Sequence, residues 1–189
     1  MHLGTKSVLY GAHQFAIHPW FVAAAWTKLY GFPKDPRLWI AFFVHDLGYI
    51  GKPNMDGPEG EQHPYLGAKI MKVFGQEWYD FCLYHSRFLA KQHDKPFSRL
   101  CVADKLSICL TPSWLYLPAV RLTGEVQEYM KHAYEGKYVT MNIPIASQRA
   151  WFEGVKDYLR RWVDEHKDGR QDTWTPTERS PINVEGVWK

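Results

Sequence analysis

Apolar residues recur at helical spacing along most of the chain, and nowhere do they alternate with polar ones over the length of a strand. Phe21, Val22, Ala25, Trp26 and Leu29 mark one face of a helix that opens at His18-Pro19, where proline in the first turn costs no hydrogen bond. Before it lies a lead-in, residues 1–17, in which Ser7-Val8-Leu9-Tyr10 forms a short helix or turn. Gly31-Phe32-Pro33-Lys34-Asp35-Pro36 is a stop. The next helix, about 36–47, is apolar almost all round from Leu38 to Val44, which makes it central, and Gly48 is its expected C-cap.

Four glycines and two prolines between 48 and 62 predict a loop without regular structure. His63-Pro64 repeats the earlier device and starts a helix over about 64–74, closed by Gly75. A helix over about 76–90 carries His85, a polar connection follows over 91–98, and a helix over about 97–110 carries Asp104. Segment 113–135 reads as helical in parts, with Pro118 and Gly124 as interruptions. Trp151, Val155, Leu159 and Trp162 form the stripe of a helix over about 145–167, and the remainder is an extended tail. The expected fold is therefore all-α, a single helical bundle over 1–167. Its motif-bearing part is 13–110, its helical extension 111–167, and 168–189 is the tail.

Composition narrows the classes. The 189 residues are 46% apolar and 16% aromatic, which excludes a disordered chain. A net charge of +3 gives no strong signal for nucleic acid. Every long apolar run is broken by charge or proline, so no membrane span is expected. No basic stretch precedes an apolar core at the N-terminus, and the default setting is cytoplasmic. Cys82, Cys101 and Cys109 fall in apolar helical contexts without CxxC spacing and read as buried thiols.

The chemistry gathers around His45-Asp46, at the end of the most apolar helix. A carboxylate there is costly unless a cation or several donors meet it. Four further candidate ligands stand in order around the pair: His18 before it, then His63, His85 and Asp104. Each also has an ordinary use; His18 and His63 could simply precede proline at a helix start. Imidazole and carboxylate together, without thiolate, suit Fe, Mn, Zn or Ni, with Mg as a further option, rather than a structural zinc cage.

The order His18, His45-Asp46, His63, His85, Asp104 resembles that of the dinuclear HD superfamily of metal-dependent phosphohydrolases, H…HD…H…H…D. The wording around it is similar too. His45-Asp-Leu-Gly-Tyr-Ile-Gly-Lys-Pro resembles the HDIGKIGIP stretch of the HD-GYP subgroup, and His63-Pro-Tyr-Leu-Gly-Ala its HPxxGxxIL. Ala103-Asp-Lys-Leu-Ser107 resembles the usual ADxLS ending. The likeness covers about residues 13–110. Two positions depart from it: Tyr49 stands where a lysine often follows HDxG, and His85 is followed by Ser86-Arg87-Phe88 without a GYP signature. The short gap from His85 to Asp104 is closer to the HD-type hydrolases of symmetrical dinucleoside tetraphosphates.

The resemblance implies two divalent transition metals. His18, His45, Asp46 and Asp104 would hold one, and Asp46, His63 and His85 the other, with Asp46 as the bridge. It implies a small, nucleotide-like phosphate substrate attacked by a metal-activated hydroxide. Among nearby cations Arg87 and Lys52 are the first choices to hold phosphate; Lys105 could instead face away and pair with a carboxylate. The same ligands would also serve a mixed-valent di-iron oxygenase or a metal-binding regulatory protein, and an oligomer is left open.

Overall fold

The computed structural model describes residues 1–135 and 143–175, and these are all-α: ten α-helices joined by loops and short 3-10 turns. The helices are α1 Leu3–Tyr10, α2 His18–Tyr30, α3 Pro36–Val44, α4 Pro64–Met71 and α5 Gln76–Leu83. They continue as α6 Arg87–Gln92, α7 Arg99–Leu110, α8 Ser113–Thr123, α9 Glu125–Tyr134 and α10 Gln148–His166. Local chemistry sets several of their starts. Asp35 accepts the Arg37 N–H at the head of α3, with Pro36 in its first turn. Ser86, Ser98 and Ser147 cap α6, α7 and α10 in the same way.

The core is built around α2 and α7, which lie against each other, with α4 on α5 and α10 on the outer side of α7. Val22, Ala25 and Trp26 of α2 meet Phe42 of α3, Met71 of α4 and Leu100 of α7 in the principal cluster. The α10 stripe is as expected: Trp151, Leu159 and Trp162 are buried and Val155 packs beside them. Trp162 and Val163 close on Cys101 and Val102 of α7. All three cysteines are buried and free. Among the described residues no helix is long and apolar enough to cross a membrane.

Several expectations are corrected. The helix expected over 76–90 is two helices, because Ser86 is extended and caps a new start; His85 sits in the break. Pro118 does not interrupt α8, which runs through it at the loss of one hydrogen bond. Helix α3 stops at Val44, and Gly48 lies in a 3-10 turn at Leu47–Tyr49 instead of serving as a C-cap. The glycine-rich loop holds a further 3-10 turn at Gly60–Gln62. Residues 169–175 carry no helix or strand, in keeping with the expected tail, and they pack on the bundle. Asp172 is buried and accepts from the Trp162 indole at 3.1 Å, while Lys91 Nζ donates to the Asp172 carbonyl at 2.9 Å. The tail expected beyond 175 lies outside the described residues.

The segment over 50–62 is tied down by α9. Glu128 accepts from the Met55 N–H at 3.0 Å and the Asp56 N–H at 2.8 Å, and Met55 itself is buried. Glu128→Ala removes the acceptor of both amides. It is expected to cost about 1–3 kcal/mol and to speed hydrogen exchange at residues 55 and 56 while α2 and α7 keep their protection.

Candidate metal centre

The six candidate ligands converge although they come from five places in the chain. His18 is the first residue of α2; His45 and Asp46 follow α3; His63 precedes α4; His85 sits between α5 and α6; Asp104 lies within α7. All are buried. They fall into two groups whose ligand atoms lie within 4.8 Å of one another: His18, His45, Asp46 and Asp104, and then Asp46, His63 and His85. Either group could hold a metal ion.

Asp46 belongs to both, one oxygen to each. Its Oδ2 lies 3.1 Å from His45 Nε2 and 3.4 Å from His18 Nε2. Its Oδ1 lies 3.4 Å from His85 Nε2 and 3.5 Å from His63 Nε2. Asp104 Oδ1 completes the first group, 3.1 Å from His18 Nε2.

The backbone decides which nitrogen each imidazole offers. His45 Nδ1 donates to the Phe42 carbonyl at 2.9 Å, His63 Nδ1 to Gly60 at 2.7 Å and His85 Nδ1 to Cys82 at 2.6 Å. In every case the acceptor is the carbonyl three residues earlier. A carbonyl can only accept, so the Nδ1 proton is fixed and Nε2 turns inward, as in histidines that bind metals. His63 Nε2 and His85 Nε2 then stand 3.0 Å apart. Burial and each other's charge hold His63 well below the usual histidine range, and burial lowers His85 as well. Two lone pairs facing across that distance need a proton or a cation between them. His45 Nε2 and Asp46 Oδ2 are also buried without a hydrogen-bond partner.

The first group behaves differently. Burial opposes charge on His45, but Asp46 and Asp104 outweigh it and push the imidazole up to about 10; His18 is raised for the same reasons. Without metal, therefore, the two carboxylates keep protons on His18 and His45, and a cation entering there displaces them.

No family model, curated protein or solved structure matches this chain.

Of the two favoured phosphate cations, Arg87 turns away from the cluster. Arg87 points to α10: its guanidinium lies 4.9 Å over the Trp162 ring and donates to Tyr158 Oη at 3.4 Å. Lys52 joins α1 through its carbonyl, which accepts from the Gly4 N–H at 3.0 Å. A cation that does reach the cluster is Lys105, whose Nζ stands 2.6 Å from Asp104 Oδ2. It does pair with a carboxylate, but that carboxylate belongs to the site. Although burial opposes its charge, Asp104 raises its pKa. Tyr49 stacks on His63 with ring centroids 3.9 Å apart, and burial together with Asp46 keeps the phenol protonated. A cleft lined by His13, Phe15 and Phe43 opens beside His18, His45 and Asp46.

These shifts set a pH dependence for the metal-free protein. His63 and His85 bind a proton more weakly folded than unfolded, so their contribution is lost as pH falls below the ordinary value of 6.5. His18 and His45 bind a proton more strongly folded. Their contribution is complete below 6.5 and is lost as pH rises toward the folded value, about 10 for His45. Thermal unfolding in chelator is thus expected to peak near neutrality. His63→Gln with His85→Gln should flatten the acid limb and leave the alkaline limb in place.

Proposed function

We propose that this protein is a dinuclear metal-dependent phosphohydrolase acting on a small, nucleotide-like phosphate ester or anhydride. The observation that carries the reading is Asp46, with one carboxylate oxygen turned to each of two buried histidine groups. The order of the six residues, which resembles that of the HD superfamily, supports it.

Two divalent cations bound there would supply a water ionised near neutral pH and positive charge to polarise a phosphoryl oxygen. The chain provides the rest. Asp46 spans the two groups. The carbonyls of Phe42, Gly60 and Cys82 hold three imidazoles so that Nε2 faces inward. Lys105 fixes the outer oxygen of Asp104 and places an ammonium beside the cluster, where developing negative charge on a phosphate would meet it. Phe15 and Phe43 line the cleft and offer aromatic surface to a base. No serine or cysteine nucleophile is required.

The test is metal analysis of the purified protein followed by a screen of phosphate esters and dinucleoside polyphosphates. Two equivalents of metal are expected. A single turnover in ¹⁸O-water should place one label in a product phosphate. His63→Ala with His85→Ala should leave about one metal and abolish most activity. Turnover that requires O₂ and reduced iron, with no ester cleaved, would replace this reading with a di-iron oxygenase.

A further inference from the structure

A second buried network abuts the centre from the α9 side. Glu125, the first residue of α9, is fully buried. Its carboxylate accepts from Thr123 Oγ1 at 2.6 Å, Ser7 Oγ at 2.8 Å, the Ala12 N–H at 3.1 Å and Tyr129 Oη at 3.4 Å. Burial works against its charge, and His13 with the hydroxyl donors more than offsets that, so the carboxyl stays below its usual range. The approach is close: a Cβ on Gly11 would overlap Glu125 Oε1, so only glycine lets the chain pass there.

Ser7 links this carboxylate to the cleft. Its hydroxyl has one proton and two neighbours, Glu125 Oε2 and His13 Nδ1, the latter at 2.9 Å. An ionised carboxylate can only accept, so the proton points to Glu125 and the Ser7 oxygen accepts from His13 Nδ1–H. In the neutral ring, His13 Nε2 then carries the lone pair. The ring lies 4.7 Å from that of Tyr49 and 5.9 Å from that of His18, and it lines the cleft with His18, His45 and Asp46. No hydrogen bond among the described residues occupies Nε2, and the side chain keeps 19% of its surface exposed.

We propose that Glu125, acting through Ser7, fixes His13 as the Nδ1–H tautomer, so that Nε2 faces the cleft and accepts the O–H of the attacking water or of a substrate hydroxyl. His13 is then a residue that touches the reacting groups, and Ser7 and Glu125 are positioning residues. The identity of the protic group rests on the phosphohydrolase reading; the tautomer does not.

Glu125→Gln tests the relay. The Ala12 N–H cannot rotate, so the carboxamide oxygen must face it and the NH₂ must face Ser7. Ser7 then accepts from Gln and turns its own proton to His13 Nδ1, moving the imidazole proton to Nε2. Long-range ¹H–¹⁵N spectra of the imidazoles should show Nδ1–H at His13 in the wild type and Nε2–H in Glu125→Gln, in metal-free protein. Should that variant not fold, Ser7→Ala serves: it should leave His13 as a mixture of tautomers. A wild-type His13 protonated at Nε2, or an Nδ1–H signal unchanged in the variants, overturns the proposal. In zinc-loaded protein, inorganic phosphate should shift the His13 Nε2 resonance; an unmoved resonance counts against contact. His13→Ala should lower kcat about tenfold, the worth of one hydrogen bond, with KM little changed. If the wild type cleaves no ester, the hydrolase reading fails, and the imidazole spectra still decide the relay.

Discussion

Asp46→Asn is expected to yield a folded protein that holds neither cation, and with them to lose activity by roughly 10³-fold or more, about 4 kcal/mol of transition-state stabilisation. The carboxylate gives one oxygen to each histidine group, so neutralising it weakens both at once. The amide keeps the shape of the side chain. Without metal it also fits: an NH₂ on the Oδ1 side can donate to the lone pairs of His63 and His85 Nε2, which stand 3.4–3.5 Å from that oxygen. Thermal stability in chelator should fall, because Asp46 no longer helps Asp104 hold protons on His18 and His45, but the protein should stay folded, while elemental analysis finds less than one equivalent of metal. A variant that keeps two equivalents would show that Asp46 is not the shared ligand. The contrast with His63→Ala/His85→Ala, which should keep one metal, separates a bridging residue from a member of one group.

Gly48→Ala should produce the largest loss of stability among single methyl additions near the site. Gly48 follows the His45-Asp46 pair by two residues, and its Cα faces the backbone of His63; an added Cβ would overlap the His63 carbonyl. Neither partner is the free end of a side chain, so the turn at 47–49 and the start of α4 must move apart. Overpacking of this kind costs about 3 kcal/mol or more. At this chain length that corresponds to a fall in melting temperature of roughly 6–12 °C. Metal affinity should fall with it, because the same shift carries His63 away from Asp46. Gly51→Ala is the comparison: its Cβ would meet nothing within 4 Å, and only its positive φ is strained, at about 1 kcal/mol. Equal melting temperatures for the two variants would refute the argument.

The all-α class and most helix positions were legible because apolar spacing is a local signal. The six candidate ligands were legible because their residue types and order are unusual together, and the structure groups them in the same two sets, either of which could hold a metal ion. Arg87 shows where this reading fails. It stands two residues from His85, and that nearness in sequence does not carry into space: Ser86 restarts the helix and Arg87 turns to Trp162. Lys105 adjoins Asp104 in sequence, and a neighbour on a helix ordinarily projects about 100° away. Its long side chain nonetheless folds back onto the carboxylate, a choice of rotamer that spacing does not encode. Glu125 and Glu128 read as acids of a helix's first turn, with nothing to mark them as buried or partly buried partners of Ser7 and Met55. Those contacts join residues 118 and 73 apart, and only the packed chain brings them together. Helix α9 thus supports Ser7, the hydrogen-bond neighbour of His13, through Glu125, and ties down the loop before His63 through Glu128.

The pairing of His18 with Asp104 spans 86 residues. A cation held by both ends would fasten the chain as a cross-link does, removing loop-closure entropy from any state in which the ends stay ligated. A disulfide over a loop of that length is worth about 4–5 kcal/mol in the chain-entropy model. A metal clip is reversible and would deliver part of that only while the ion stays bound. Release of the ion would then gate unfolding, and the lifetime of the folded chain would follow the free concentration of metal rather than temperature alone.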